Sequence, residues 1–305
     1  MTGPAEDRTP AGVQRPVRLY VPPPTLGGRL WHWRYLILRR VSQLGVLLLF
    51  YGTAHWGWTA LGEPLLSGNL SAAKLAGSVP LADPYATLQI LLTGNLPITE
   101  VLLGAAIVLV FYALVGGRVW CAWVCPVNMV TDLAGWLQGR LGSGNVLHLS
   151  RNLRYSILAL ALILSPIAGM AAFEWVSPIS MLHRELIFGV GMGLIAVAGV
   201  FLLDLLVLKH GWCGHLCPLG AFYALLGRAA QVRVALDRDT CTRCGECMRV
   251  CPEPQVLNLI EAFQRGFVRS GECTNCARCI PICPEDSLAF TLRLKVKKTQ
   301  TEPVH

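Results

Sequence analysis

The motif Cys241-x2-Cys244-x2-Cys247-x3-Cys251-Pro252 recurs 32 residues later as Cys273-x2-Cys276-x2-Cys279-x3-Cys283-Pro284. A Cys-x2-Cys-x2-Cys loop can wrap three thiolates around three irons of one cubane, which leaves the fourth iron to a cysteine from elsewhere. In two-cluster modules with this spacing the fourth ligand comes from the other motif. The pattern thus assigns Cys241, Cys244, Cys247 and Cys283 to one 4Fe–4S cluster, and Cys273, Cys276, Cys279 and Cys251 to a second. Four thiolates also suit zinc, but zinc ribbons separate two Cys-x2-Cys hairpins by a longer insert. Here three cysteines are packed together and followed by Cys-Pro, so iron–sulfur is the stronger reading.

All twelve cysteines fall into four short motifs, which metal sites produce more readily than a disulfide framework does. The other two motifs are Trp120-Cys121-Ala-Trp-Val-Cys125-Pro126 and Trp212-Cys213-Gly-His-Leu-Cys217-Pro218, offset by 92 residues. Leu133 and Gly135 recur at the same offset as Leu225 and Gly227. Each motif reads as a turn that opens a short amphipathic helix, and a pseudo-two-fold packing of the two copies would bring four thiols together. Cys-x3-Cys is not a ferredoxin spacing. Three chemistries suit Cys121, Cys125, Cys213 and Cys217: a third redox or metal centre with two ligands from each copy, a dithiol/disulfide pair, or inert packing thiols.

The rest of the chain is too apolar for a soluble two-domain protein, with 53% hydrophobic residues, 14% charged residues and a mean hydropathy of +0.50. Residues 41–60, 98–116, 155–176 and 186–208 each reach the ~20 residues needed to cross a bilayer core. No small-residue cleavage site accompanies the first, so it reads as a retained anchor behind a leader at 1–40. Arg29, Arg34, Arg39 and Arg40 precede it. Arg118, Arg140, Arg151 and Arg154 lie between the second and third stretches, and Lys209 and Arg228 follow the fourth. The opposite loops carry only Lys74 and Arg184, so both termini are expected in the cytoplasm. The net charge of +8 forms no aromatic-interleaved stripe, which excludes a nucleic-acid reading.

The expected fold is thus a membrane all-α body over 41–232, with four transmembrane helices in two pseudo-repeated pairs. An α+β two-cluster domain over 233–290 and a basic tail over 291–305 follow. Residues 85–93 are apolar but too short to span, and are expected in the interface or re-entering, as a candidate docking surface. Gly189 and Gly193 and the helix-interior Pro166 read as ordinary membrane-helix packing devices. His55 and His183 are poorly placed for a transmembrane haem. Glu100, Glu174, His183, Arg184 and Glu185 fall near the outer side and Asp204 near the inner end of the fourth stretch, where ionisable groups are functional candidates.

Four spans, paired Cys-x3-Cys-Pro motifs and a terminal two-cluster module together resemble the NapH/MauN family, over nearly everything after the leader. The stretch Val250-Cys-Pro-Glu-Pro-Gln-Val-Leu257 is similar to the NapH branch. The resemblance implies a multi-pass inner-membrane quinol dehydrogenase subunit of a periplasmic nitrate reductase system. It would draw on the quinol pool in the membrane lipid and deliver electrons with a NapG-like periplasmic ferredoxin and cytochrome carriers. It implies cluster-ligand roles for the eight tail cysteines and matches Cys121, Cys125, Cys213 and Cys217 to the family's membrane-surface motifs. It assigns no quinone contacts. An electron-supply or maturation factor for a periplasmic redox enzyme, as for MauN-like relatives, and a membrane-anchored redox sensor are the competing readings.

Overall fold

The computed structural model describes residues 20–294 apart from 22, 61, 143–145, 148, 190 and 258. The start of the expected leader and the basic tail beyond 294 lie outside the described residues. Helix α1, Leu26–Trp56, is capped by the Thr25 hydroxyl and closed by Gly57 at φ 63°. Its first turns therefore lie inside the segment read as leader. Among the described residues it is the one helix long and apolar enough to cross a bilayer by itself.

Short strands follow: β1 (Thr59–Ala60) with β2 (Glu63–Pro64), then a meander of β3 (Leu66–Gly68), β4 (Ala72–Leu75) and β5 (Val79–Ala82). The chain then enters α2, Pro84–Leu92, with Asp83 as its cap. Tyr85 and Gln89 in α2 are fully buried. The Gln89 amide oxygen accepts from the Ser165 hydroxyl at 3.2 Å and the Phe173 amide at 3.0 Å. This segment is therefore part of the packed interior and not the docking surface expected from its sequence. Its buried amide finds partners there that an interfacial helix would have to find in water.

Two similar units carry the paired cysteine motifs. The first is α3 (Thr99–Val115), α4 (Val119–Trp123) and α5 (Val127–Leu141). Between the units run α6 (Leu153–Ala168), α7 (Ala172–Val176) and α8 (Pro178–Phe188). The second unit is α9 (Gly193–Leu202), continued by π-helical turns at Leu203–Val207 and Trp212–Leu216, and α10 (Pro218–Leu226). The third and fourth apolar stretches are thus broken. Gly169 at φ 67° ends α6 and Gly189 at φ 65° ends α8, because a left-handed residue stops a helix whatever the hydropathy around it. A shared core of Tyr85, Tyr112, Phe173, Val200 and Tyr223 joins the units. The outward faces are apolar as well: Val110, Phe111, Ile163, Ile167, Leu194 and Ile195 are all exposed. Trp31, Trp33 and Trp136 are exposed toward one end of the bundle and Trp56 and Trp175 toward the other.

The cysteine-rich module is bracketed by β6 (Val232–Leu236) and β7 (Leu288–Leu292), paired antiparallel with Val234 opposite Phe290. Val234, Leu236 and Leu288 point into a second core with Val256 and Val268, as the two-residue period of a strand dictates. Helices α11 (Glu246–Val250) and α12 (Leu259–Arg265) complete it.

The module sits directly on the bundle. A Cβ on Gly117 would overlap the Tyr223 carbonyl oxygen and the Gly227 nitrogen, and one on Gly271 would overlap the Ala224 carbonyl oxygen. Backbones touch where the first unit, α10 and the module meet. Gly117→Ala or Gly271→Ala is expected to cost about 1–3 kcal/mol or more through overpacking. Gly139→Ala, where a Cβ meets open space, is expected to be neutral or stabilising by up to about 1 kcal/mol. Thermal unfolding in detergent checks the contrast.

Candidate iron–sulfur centres

The module places its eight cysteines around two cavities. One is lined by Cys241, Cys244, Cys247 and Cys283. The other is lined by Cys251, Cys273, Cys276 and Cys279. These are the two sets that the crossed assignment puts together. The loops curl alike: Arg243 (φ 56°) and Asn275 (φ 47°) occupy the same place in the two motifs, as do Gly245 (φ 79°) and Ala277 (φ 59°). Left-handed backbone at a non-glycine residue costs about 1 kcal/mol, so packing holds these turns in the shape that turns three thiols inward. Backbone amides also face sulfur, with the Ser287 N–H donating to Cys283 Sγ at 3.4 Å.

The third set converges too. Cys121, Cys125, Cys213 and Cys217 line a single cavity with Trp120, Trp212 and Leu219. The reason is local and doubled. Cys125 sits at the N-terminus of α5 and receives the Val127 and Asn128 amides, while Cys217 sits at the N-terminus of α10 and receives the Leu219 and Gly220 amides. Proline tolerates the first turn of a helix, where its missing N–H is not needed. Unpaired amides and the helix dipole there favour a thiolate or an anionic centre. Left as free thiols, all four would be neutral at pH 7, since burial pushes Cys217 up to about 11 and also raises Cys121, Cys125 and Cys213. All twelve cysteines are free of disulfides. Four thiol donors and four aimed amides at one cavity fit an anionic metal–sulfur centre. No three Cys, His, Asp or Glu side chains among the described residues converge closely enough for a single ion, whereas thiolates at the corners of a cubane stand further apart.

Two carboxylate locks tie this third set to the module, and neither was foreseen from sequence. Glu253, next after Cys251-Pro252, is 3% exposed. It accepts from Arg118 at 2.6 Å, from Arg154 at 3.3 Å and from Arg151. Arg118 also donates to the Cys213 carbonyl at 3.1 Å, so one guanidinium bridges the third set and the module. Arg154 reaches Glu272 at 2.5 Å, where the Tyr155 hydroxyl also donates at 2.8 Å. The second lock is Asp132 on α5, which pairs with Arg39 at 2.9 Å, with Arg278 at 2.7 Å and with Arg40. Arg278 lies between Cys276 and Cys279. Arg39, Arg118 and Arg154, read from sequence as topology signals, are buried; Arg118 and Arg154 reach across to Glu253 and Glu272 of the module, while Arg39 supports Asp132 within the bundle. Arg233 adds a third tie by donating to the Gly227, Arg228 and Ala230 carbonyls at the end of α10.

Burial alone would raise both carboxyls. The Coulombic pull of Arg118, Arg154 and Arg151 on Glu253, and of Arg278, Arg39 and Arg40 on Asp132, outweighs it and holds each at about 2. A carboxylate with a depressed folded pKa contributes stability above its unfolded pKa and loses it as pH falls toward the folded value. The unfolding temperature is therefore expected to be flat above about pH 5 and to fall below it. A profile that rises on acidification would contradict the locks.

The ionisable residues that the sequence groups at the end of the bundle away from the module make local structural contacts. Glu174 accepts from the Ser71 and Ser180 hydroxyls at 2.7 Å each, Glu185 caps the Leu194 amide at 2.7 Å, and Glu100 pairs with Lys74 at 2.5 Å. His183 packs edge-on against Phe50. Asp204 accepts from the Trp212 amide at 2.9 Å and so steadies the turn that presents Cys213.

Comparison with known proteins agrees with this geometry. Residues 98–144 and 190–236, the two units with the same 92-residue offset, match a family described as a 4Fe-4S binding domain. Residues 233–284 match a 4Fe-4S dicluster domain. The chain is 46% identical over 232 residues to the methylamine utilization ferredoxin-type protein MauN of Methylorubrum extorquens, covering 75% of this chain and 79% of that protein. It is 45% identical over 226 residues to the ferredoxin-type protein NapH of Escherichia coli, covering 73% and 77%. To the NapH of Haemophilus influenzae it is 44% identical over 233 residues, covering 74% and 79%. No solved structure matches.

Proposed function

The chain belongs to the NapH/MauN family of ferredoxin-type proteins, and from that premise we propose that it is a membrane quinol dehydrogenase subunit working through three iron–sulfur centres. An iron–sulfur electron-transfer role with 4Fe–4S domains follows from the family and domain matches. The observation that carries the three-centre reading is the cavity where both Cys-x3-Cys-Pro motifs meet, fastened by Arg118 to Glu253 beside the second module cavity. When bound, 4Fe–4S clusters supply one-electron redox chemistry. Cys241, Cys244, Cys247 and Cys283 would hold one, Cys273, Cys276, Cys279 and Cys251 the next, and Cys121, Cys125, Cys213 and Cys217 the third. The chain's own part is to fix these donors relative to one another. The glycine contacts and carboxylate locks do so without a flexible linker.

The apolar outer faces of α3, α6 and α9 support a membrane setting, since patches of that extent are rare on soluble monomers. Tryptophans at both ends suit the headgroup level. Both termini and the module would then be cytoplasmic. Electrons would leave through partner proteins toward a periplasmic reductase, nitrate reductase being the expected acceptor.

The relatives named for methylamine utilization keep an electron-supply or maturation role as the second reading. That role would use the third set as working thiols, and a working dithiol needs a lowered thiol pKa and access. Cys125 and Cys217 are buried, which denies them the access a working dithiol needs. The test is reduction of the purified holoprotein by decylubiquinol or menadiol, followed by EPR. Signals of reduced clusters are expected. Reduction by dithionite but by neither quinol, with or without the partner ferredoxin, would rule the quinol reading out.

A further inference from the structure

Between α1, α3 and the β3–β5 meander lies a cavity of about 380 Å³ that no part of the cysteine chemistry uses. Its walls are apolar, with Phe50, Leu81, Ile107 and Phe111 among them. Ile107 is 38% and Phe111 53% exposed, so the mouth opens on the apolar outer face of the bundle. The floor is different. Asp83 is buried there, accepts the Tyr223 hydroxyl proton at 3.2 Å, and has no ion pair among the described residues. Tyr112 and Trp120 complete the floor. A buried carboxyl group without a cation, facing an apolar cavity, is costly to keep ionised, and an ionisable group so placed is a candidate functional site. Small-molecule sites have this character, mostly apolar with a few convergent polar groups.

The occupant is constrained from three sides. It must arrive from an apolar phase, because the mouth is lined by Ile107 and Phe111. It must carry a polar group able to donate to a carboxylate, because Asp83 and Tyr223 stand at the closed end. It must also lie beside the third cysteine set, because Trp120, on the floor, lines that set's cavity as well and directly precedes Cys121. Trp120, Tyr112 and Tyr223 form a ring cluster with centroids 5.3–6.2 Å apart, and the buried Trp120 Nε1 has no hydrogen-bond partner among the described residues.

We propose that this cavity binds the ring of a lipid-soluble quinol, with one ring hydroxyl donating to Asp83 and the ring held against Trp120. The proposal rests on the quinol reading above and gives it a location. Asp83 also caps α2 through the Tyr85 and Ala86 amides, both at 3.3 Å. Those two amides hold the carboxylate facing the cavity, and asparagine would keep the cap.

The test is photolabelling of the purified holoprotein with an azido-ubiquinone, with competition by excess decylubiquinone and peptide mapping. Label is expected in the segments that line this cavity, residues 79–83, 104–112 or 120–124, and should be displaced by decylubiquinone. Ile107→Trp, which fills the mouth from an exposed position, should abolish it. Asp83→Asn should weaken decylubiquinol competition by about tenfold or more through loss of a hydrogen bond to a charged group, while decylubiquinone competition and iron content stay as in the wild type. Competable label elsewhere, for example beside Trp136 and His210 between α1, α5 and the module, would overturn the location and leave the quinol function standing. Label displaced equally by phospholipid would show a lipid site and overturn the proposal. Absence of any quinone-competable label would remove both the location and the quinol reading. Should Ile107→Trp fail to fold, the wild-type map and Asp83→Asn decide alone.

Discussion

Replacing Glu253 with glutamine is expected to release the cysteine module from the bundle, at a cost of about 3–5 kcal/mol for breaking a buried ion pair. Arg118 and Arg154 are 1% and 0% exposed. With Glu253 neutral, Arg118 would keep only carbonyl oxygens and the Cys121 sulfur as partners, and Arg154 would keep Glu272 as its one carboxylate among the described residues. Uncompensated buried cations are far more costly than a lost surface pair. The Glu246–Arg249 pair, with Arg249 70% exposed, supplies the control, because Glu246→Gln should cost under about 1 kcal/mol. Limited proteolysis between α10 and β6 should become fast in Glu253→Gln and stay slow in Glu246→Gln. The 4Fe–4S signal tied to Cys251 should broaden or be lost, because Glu253 follows it by two residues. Equal protease resistance in the two variants would show that the Asp132–Arg278 lock, the glycine contacts and Arg233 hold the module without Glu253.

The second large effect concerns the third cysteine set. Cys125→Ala with Cys217→Ala removes the two sulfurs that receive helix N-terminal amides. Quinol-driven reduction of the module clusters is expected to fall by two orders of magnitude or more, on the order of the loss when an essential redox group is removed. Reduction by dithionite should be unchanged. The split separates a missing relay from a misfolded module, since the module's own eight cysteines and its β6–β7 pair are untouched. Unaltered quinol-driven reduction would make these thiols packing groups.

What the sequence disclosed followed from the range of each interaction. The two Cys-x2-Cys-x2-Cys loops are local, so spacing alone grouped Cys241, Cys244 and Cys247, and likewise Cys273, Cys276 and Cys279. The third set was legible because it is doubled: the 92-residue offset exposed a symmetry that packing then uses. Arg118–Glu253 and Asp83–Tyr223 join residues more than a hundred positions apart, and no spacing pattern announces such pairs. Arginine between apolar stretches reads the same whether it faces lipid headgroups or a buried carboxylate. Hydropathy found the apolar stretches but not their breaks, because Gly169 and Gly189 are themselves compatible with an apolar helix. The meander and α2 between the first two stretches were too short and too mixed to register as part of the interior.

On this reading the paired Cys-x3-Cys-Pro motifs hold a third centre joined to the two of the module. Iron content and EPR of the holoprotein beside a Cys121→Ser/Cys213→Ser double variant test it most directly. Three cubanes require about twelve irons per chain and two require about eight. The account predicts that the double variant loses about a third of the iron and one EPR component, while the paired signal of the module persists. Equal iron and identical spectra in the two proteins would contradict it.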